Sequence, residues 1–356
     1  MKENRNQIKP EEKIPEFFDS KVKLILIVIL IIVIIICCLP VLLVQPSRNS
    51  SLDFTNTGQI GDTIGGIMGP FVAILAATLT FFAFWVQYKA NQQQTKQFRI
   101  QAKDSRVDRF ESRLSELVKI HRDNLNEIEI DGIKGRKAFI SMLQEIKYSY
   151  YCVKELFIHQ YNNELLLDIA YRVFYLGVEK KSLILLYKSL QDKLPQNEIA
   201  GLISHLDYHK SKYIKGALTD VESEGVKFYF ILDYEPFEGH VSKLGHYFRH
   251  LYHTVKFIAT QDDEFLSEAE KQEYAKTVRA QLSDYEQLIL FYNINSAFGN
   301  AWITDGFIRR FRMIKNLPMP LADFGITPEA KFEDDVKYWK DMNLSFFQWD
   351  EKKWSK

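Results

Sequence analysis

Two long uncharged stretches near the start of the chain stand out in its pattern of hydrophobic and polar residues. The first lies between Lys23 and Arg48 and holds 24 residues, and the second lies between Asp62 and Lys89 and holds 26. A helix of about 20 residues crosses a hydrocarbon core of about 30 Å. Two transmembrane helices are therefore predicted, in the order N-terminal segment 1–23, helix 24–44, linker 45–62 and helix 63–88.

The first stretch is longer than the apolar region of a secretory signal peptide, which spans about 7–15 residues and ends at small residues. It runs from Leu24 to Val44 and is followed by Gln45 and Pro46 rather than by a small-x-small cleavage site. We interpret it as a retained membrane helix, with a cleaved signal peptide as the alternative.

Positive charge is distributed unequally around the two stretches. Six Lys and Arg residues precede the first one, the linker carries only Arg48, and six more lie between Lys89 and Arg109. Cytoplasmic flanks of membrane helices retain Lys and Arg. We therefore expect a two-pass protein with both termini in the cytoplasm.

The second stretch carries small side chains at every fourth position. Helices in lipid associate through close backbone approach along such faces. The stripe favours either packing against the first span or oligomerisation through the second, so a homo-oligomer is expected. Neither span contains an ionisable residue, which argues against channel, proton-relay and transporter functions and leaves an anchor or an assembly-dependent pore. The small residues are Gly61, Gly65, Gly69, Ala73 and Ala77.

Beyond the second span the pattern is that of helices. Strong helix formers continue without Gly or Pro as far as Gly132, which predicts a stalk helix over 89–131. Only Val226–Asp233 resembles a strand, and one strand makes no sheet. The expected fold class is all-α: a two-helix transmembrane hairpin, a stalk helix and a helical cytosolic domain over 132–356. The predicted helices of that domain are 137–159, 163–193, 197–214, 241–260, 267–293, 305–315 and 328–342, with a capping box at Ser267-x-x-Glu270.

The average composition hides these two unlike parts. Lys and Arg total 46 and so do Asp and Glu, so a net charge of zero gives no general electrostatic reason for nucleic-acid binding, which is left open. The two apolar stretches exclude a purely soluble enzyme, a disordered chain and a fibre. Of three cysteines, Cys37 and Cys38 fall in the first stretch and Cys152 stands alone, which argues against a disulfide framework.

Histidine placement is the strongest sign of chemistry, because no phosphate loop, zinc-ligand motif or nucleophile elbow is present. Four of eight histidines lie within 240–253. On the predicted helix 241–260, His246, Arg249, His250 and His253 share one arc opposite an apolar face.

Three interpretations of that arc remain open. It is a polar stripe facing solvent or a partner, a metal-ligating pair of His246 and His250, or an acid–base and phosphate-binding face like that of helical metal-independent ribonucleases. Those ribonucleases usually space Arg and His by four to six residues, whereas Arg249 and His253 enclose three. No third metal ligand can be assigned, so neither a metal site nor a cofactor is predicted.

Further polar residues on the predicted helix 267–293 share an arc of their own, from which Glu286 could orient a histidine and Arg279 could bind an anion. A third polar cluster ends the stalk. The candidate catalytic residues are His246, Arg249, His250, His253 and Glu286. The candidate binding or structural polar residues are His121, Asn124, His240, Arg279, Ser283 and Asn293.

Four segments together resemble the putative phage abortive infection family, a bacterial group of short membrane hairpins joined to a helical cytosolic domain. The similarity covers most of the chain from about residue 55 to residue 320. The segments that carry it are 58–71, 110–124, 239–252 and 279–293.

The resemblance implies a bacterial inner-membrane protein that stops phage propagation by harming or arresting the infected cell. Two mechanisms are compatible with it. In one, the cytosolic domain senses a phage or host protein trigger and changes the assembly of the spans in the lipid bilayer. In the other, the membrane only localises a nuclease or hydrolase that acts through the His/Arg face. A membrane scaffold that binds a protein partner is a further alternative.

Overall fold

The computed structural model describes residues 20–43 and 57–348. It divides into two units, Met1–Val107 and Asp108–Lys356. Most of the predicted N-terminal segment (1–19), the last residue of the first predicted span (44), most of the predicted linker (45–56) and the last residues (349–356) lie outside the described residues.

The first unit contains helix α1 (Ser20–Leu43) and the first part of helix α2 (Thr57–Glu127). Within the described residues, α2 is the one helix long and apolar enough to cross a membrane, judged by length and composition over Met68–Glu127, and its apolar window is not buried. The apolar part of α1 that is described, Ile27–Ile36, is shorter than a span. The two-helix hairpin stays a prediction.

The second unit is a mainly helical domain built around a buried helix, α3. Its side chains Phe139, Met142, Ile146 and Val153 are fully buried because other elements cover α3 on several sides. The helices, in chain order, are α3 Arg136–Phe157, α4 Asn163–Leu176, α5 Leu183–Leu190, α6 Gln196–Ser211, α7 Val241–Ala259, α8 Glu268–Arg279, α9 Asp284–Ile294, α10 Ala301–Thr304, α11 Phe307–Phe311, α12 Pro328–Lys331 and α13 Glu333–Asp341, with a 3-10 turn at Met319–Leu321.

Two short hairpins correct the expectation of a lone strand. β1 (Glu129–Ile130) pairs with β2 (Ile133–Lys134), and β3 (Leu218–Ser223) pairs antiparallel with β4 (Val226–Ile231). Glu224 and Gly225 both have positive φ, which is the backbone that a two-residue hairpin turn requires. The fold is mostly helical, as expected, with these two exceptions.

Three predicted helices are in fact pairs of shorter ones. The prediction 163–193 breaks at Gly177 (φ +79°). The prediction 267–293 breaks because Ser283 caps a new helix, α9, so its polar residues do not share one helix face. The predicted helix 328–342 is interrupted at Phe332.

The capping box at Ser267 is confirmed: Ser267 N–H and Oγ both donate to Glu270 Oε2, at 2.8 and 2.7 Å.

The start of α7 is fixed by a close crossing of two chain segments. Gly177 and Gly239 lie against each other's neighbours, and both have positive φ. A Cβ at Gly239 would overlap the carbonyl group of Leu176, and one at Gly177 would overlap that of Glu238. His240 N–H donates to Tyr175 O at 2.8 Å across the crossing. Glycine is required at both positions.

We expect Gly239→Ala to lower the free energy of unfolding by at least about 2 kcal/mol, because it combines an unfavourable φ with overlap against fixed backbone. Gly201→Ala on α6 is the matched control: its Cβ would meet no atom within 4 Å, so it should raise stability by roughly 0.5–1 kcal/mol. Chemical unfolding of the detergent-solubilised chain, followed by circular dichroism, measures both. Equal effects of the two variants would contradict the crossing.

Candidate functional site

One face of the C-terminal part of α2 is buried in the second unit. We call residues 108–127 the stalk end. Phe110 and Leu125 on it are 5% and 4% exposed. The Phe110 ring stacks on Phe257 of α7 at 5.1 Å and meets Tyr274 of α8 edge-on at 4.9 Å. The stalk end therefore packs against α7 and α8 rather than standing free in solvent.

Two predicted clusters meet at this contact. His121 of the stalk end lies 6.2 Å from His250 of α7, ring centre to ring centre, with the rings nearly parallel. His121 also packs on Tyr247 at 4.7 Å. Within the described part of the chain, both ring nitrogens of each histidine are buried and have no hydrogen-bond partner. The same is true of Nδ2 of Asn124, one turn after His121. We call the two histidines the His121–His250 pair.

Burial keeps both histidines of the pair neutral at pH 7. Burial, together with the neighbouring His250 and Arg136, lowers the pKa of His121 to about 4. The pKa of His250 is lowered by burial, by His246 and by His253. A buried neutral imidazole whose nitrogens have no partner can accept a proton, bind a ligand, or form hydrogen bonds with water if the packing around it opens.

Glu286 is connected to the pair through Tyr247. The Tyr247 hydroxyl donates to Glu286 Oε1 at 2.6 Å, while Ser283 N–H and Oγ donate to Oε2 at 2.8 and 2.6 Å. Arg136 Nε lies 3.4 Å from the same oxygen. Glu286 is thus the N3 residue of the α9 capping box and also fixes the tyrosine against which His121 packs.

The remaining residues of the predicted His/Arg face are more exposed than the pair. His246, Arg249 and His253 are exposed on α7, while His250 is half-buried at the edge of that face. The structure therefore separates an exposed trio from the His121–His250 pair, whose ring nitrogens are buried. Glu286 lies with the buried group, where its partners are Tyr247, Ser283 and Arg136.

Two other predicted polar residues form hydrogen bonds between neighbouring helices. Arg279 Nη1 donates to the carbonyl oxygens of Phe311 and Arg312, both at 3.1 Å, and burial together with Arg312 lowers its pKa to about 10. Asn293 Nδ2 donates to the Tyr171 hydroxyl at 3.0 Å. These bonds satisfy groups that would otherwise be buried without partners.

His240 belongs to a buried cluster that the sequence reasoning missed. Its Nε2 lies 2.6 Å from Glu145 Oε2, which also accepts from the Tyr234 hydroxyl at 2.6 Å. Glu145 Oε1 accepts from Phe237 N–H at 2.7 Å. Glu145 lies at helical spacing from Ala138, Met142 and Cys152, and a carboxylate on that apolar face of α3 is the sequence signal that could have indicated the cluster.

One family model covers this region. Residues 239–321 match the model of the putative phage abortive infection protein family. The match confirms the expected resemblance over a segment that begins at the Gly239 crossing and contains His250 and Glu286. Comparison with curated proteins and with solved structures gave no significant match.

The lowered pKa of His121 makes stability depend on pH. The unfolded chain binds a proton at this residue below about pH 6.5, whereas the folded chain does so only near pH 4, so stability falls as pH decreases through this window. A shift of this size corresponds to roughly 3 kcal/mol.

We expect His121→Phe to remove much of that loss while keeping the aromatic packing on Tyr247. Unfolding midpoints measured at several pH values between about 7 and about 4 test this. His159→Phe, at an exposed position, is the control and should leave the pH dependence unchanged. An unaltered slope in His121→Phe would show that His121 is not the group responsible.

Proposed function

We propose that this protein is an antiphage membrane effector of the abortive infection type, with both termini in the cytoplasm of a bacterium. The observation that carries the proposal is that one helix, α2, contains both the apolar segment and the stalk end. The stalk end packs on α7, which lies in the segment matched by the abortive infection family.

The small-residue stripe of α2 supports assembly in the bilayer. A Cβ added at Gly61, Gly65 or Gly69 would meet no atom of the described residues within 4 Å, and Ala73 and Ala77 are exposed. This face is therefore available for close approach of a second helix, either α1 or another copy of α2. We infer that homo-oligomers form along it and perturb the membrane.

The His121–His250 pair supports a switch at the inner end of the same helix. Each buried polar group without a partner costs about 1–3 kcal/mol, so the packing of the stalk end on α7 is less favourable than an apolar contact of equal size. A phage or host protein that binds the cytosolic domain has to favour one arrangement by about 5.5 kcal/mol to reverse a 1:99 population. If the ring nitrogens of the His121–His250 pair gain hydrogen-bond partners in the second arrangement, the binding protein has to supply less of this free energy.

We expect the double substitution Gly65→Leu and Gly69→Leu to abolish protection against phage, because bulky side chains prevent close helix approach. Gly66→Leu is the matched control, since it is an adjacent glycine with equally open surroundings that lies off the stripe. Phage plaque counts and membrane potential in infected cells measure the effect. Equal loss in both variants, or full protection by the double variant, would contradict the proposal.

The exposed trio on α7 favours the second candidate function, a membrane-anchored nuclease or hydrolase. His246, Arg249 and His253 are all accessible to a substrate phosphate. If this function operates, changing His246 and His253 to Ala should reduce cellular RNA degradation at least about 100-fold while membrane potential stays intact. RNA integrity and membrane potential followed in one infected culture separate the two functions. If the protein is instead a membrane scaffold, the same two substitutions should remove a bound partner protein in pull-down assays.

A further inference from the structure

A cluster of metal-ligand side chains lies between α3 and α6. We propose that Glu155, His205 and His209 form a binding site for a divalent transition metal ion, with zinc as the ion that fits best. The three potential ligand atoms lie within 4.8 Å of one another. None of these residues lies in the segment 239–321 matched by the family model, and none belongs to the His121–His250 pair.

The spacing of the ligand atoms resembles the edges of a metal coordination shell. His209 Nε2 lies 3.1 Å and His205 Nε2 lies 3.3 Å from the same carboxylate oxygen, Glu155 Oε2. A tetrahedral zinc ion with bonds of about 2.0–2.1 Å places its ligand atoms about 3.4 Å apart. Small side-chain rotations that bring the two imidazoles slightly closer would therefore complete three corners of such a shell.

The local helix geometry is suited to a shared ion. His205 and His209 are one turn apart on α6, so both rings project from the same side, and their centres are 4.7 Å apart. Glu155 comes from the facing helix, α3. Two histidines and one carboxylate are an established zinc ligand set that leaves a fourth position open.

Hydrogen bonds among the three residues do not satisfy all of their buried polar atoms. His205 Nε2 is buried and has no hydrogen-bond partner among the described residues, although it lies 3.3 Å from the carboxylate. An unpartnered buried imidazole nitrogen beside a carboxylate is costly, and a metal ion would satisfy both.

An outer partner supports the ligand role of His209. The Tyr148 hydroxyl lies 3.1 Å from His209 Nδ1. When Nε2 binds a metal, Nδ1 carries the proton and donates it to such a partner, which fixes the ring orientation. Tyr148 is 1% exposed, so this support is rigid.

The site is open to solvent on one side. The side chain of Glu155 is 33% exposed and that of His205 is 19% exposed, whereas that of His209 is 7% exposed. An ion can enter from the Glu155 side, and a water molecule can occupy the fourth position. Because the ligands come from two helices, the ion would join α6 to the central helix α3.

The test uses the purified full-length chain, treated with a chelator and then titrated with Zn²⁺ and with Co²⁺. We expect one high-affinity equivalent per chain, a visible Co²⁺ spectrum typical of four-coordinate nitrogen and oxygen ligands, and a higher unfolding temperature with metal. Glu155→Gln and His205→Ala should each weaken binding at least about 100-fold. Both positions are partly exposed, and unfolding without metal checks that each variant folds.

Two control variants separate this site from incidental binding by surface histidines. His159→Ala, one turn after Glu155 and exposed, should bind metal like the unchanged chain. The double change of His246 and His253 to Ala should also keep the high-affinity equivalent. The proposal is overturned if no saturable binding occurs below about 100 μM metal, or if Glu155→Gln and His205→Ala bind as the unchanged chain does.

Discussion

The packing of the stalk end against α7 is the contact on which the proposed function depends. It places His121 on Tyr247, whose hydroxyl is held by the buried carboxylate of Glu286. The same helix that ends in this contact contains the apolar segment, which is long enough to cross a membrane. Any change in the domain that alters α7 therefore acts directly on the end of α2. That continuity is the physical basis of the proposed coupling between infection and the membrane.

Helix α7 has two chemically different faces. One face buries Leu244, Tyr247 and Leu251 in the core, while the opposite face exposes His246 and His253. His250 lies at the boundary between the two faces, so it contacts the stalk end and still lies near the exposed histidines. A partner that binds the exposed face would change the surroundings of the His121–His250 pair without entering the core. In the proposed mechanism, sensing and transmission would therefore both involve α7.

Sequence periodicity was sufficient to predict the bounds of elements whose ends carry strong local signals. The prediction 241–260 agrees closely with α7, and the Ser267 capping box is confirmed, because both depend on residues within a few positions of one another. The break before α9 has the same Ser-x-x-Glu signal at Ser283, but the continuing apolar pattern concealed it.

Contacts between side chains far apart in the sequence could not be predicted from residue spacing. Glu145 with His240, and Glu155 with His205 and His209, are joined only by the tertiary packing of helices. The site residues of α7 were predicted, but their division into buried and exposed sets was visible only after His121 was placed.

Assembly of α2 along its small-residue face is the most direct consequence of the proposed mechanism. Cysteine cross-linking in cells measures it, with Cys37 and Cys38 replaced by Ser and a single cysteine introduced at Gly65. The mechanism predicts that cross-linked dimers increase after phage infection for Gly65→Cys and remain low for Gly66→Cys, which lies off the stripe. Equal cross-linking at the two positions, or no increase after infection, would contradict it.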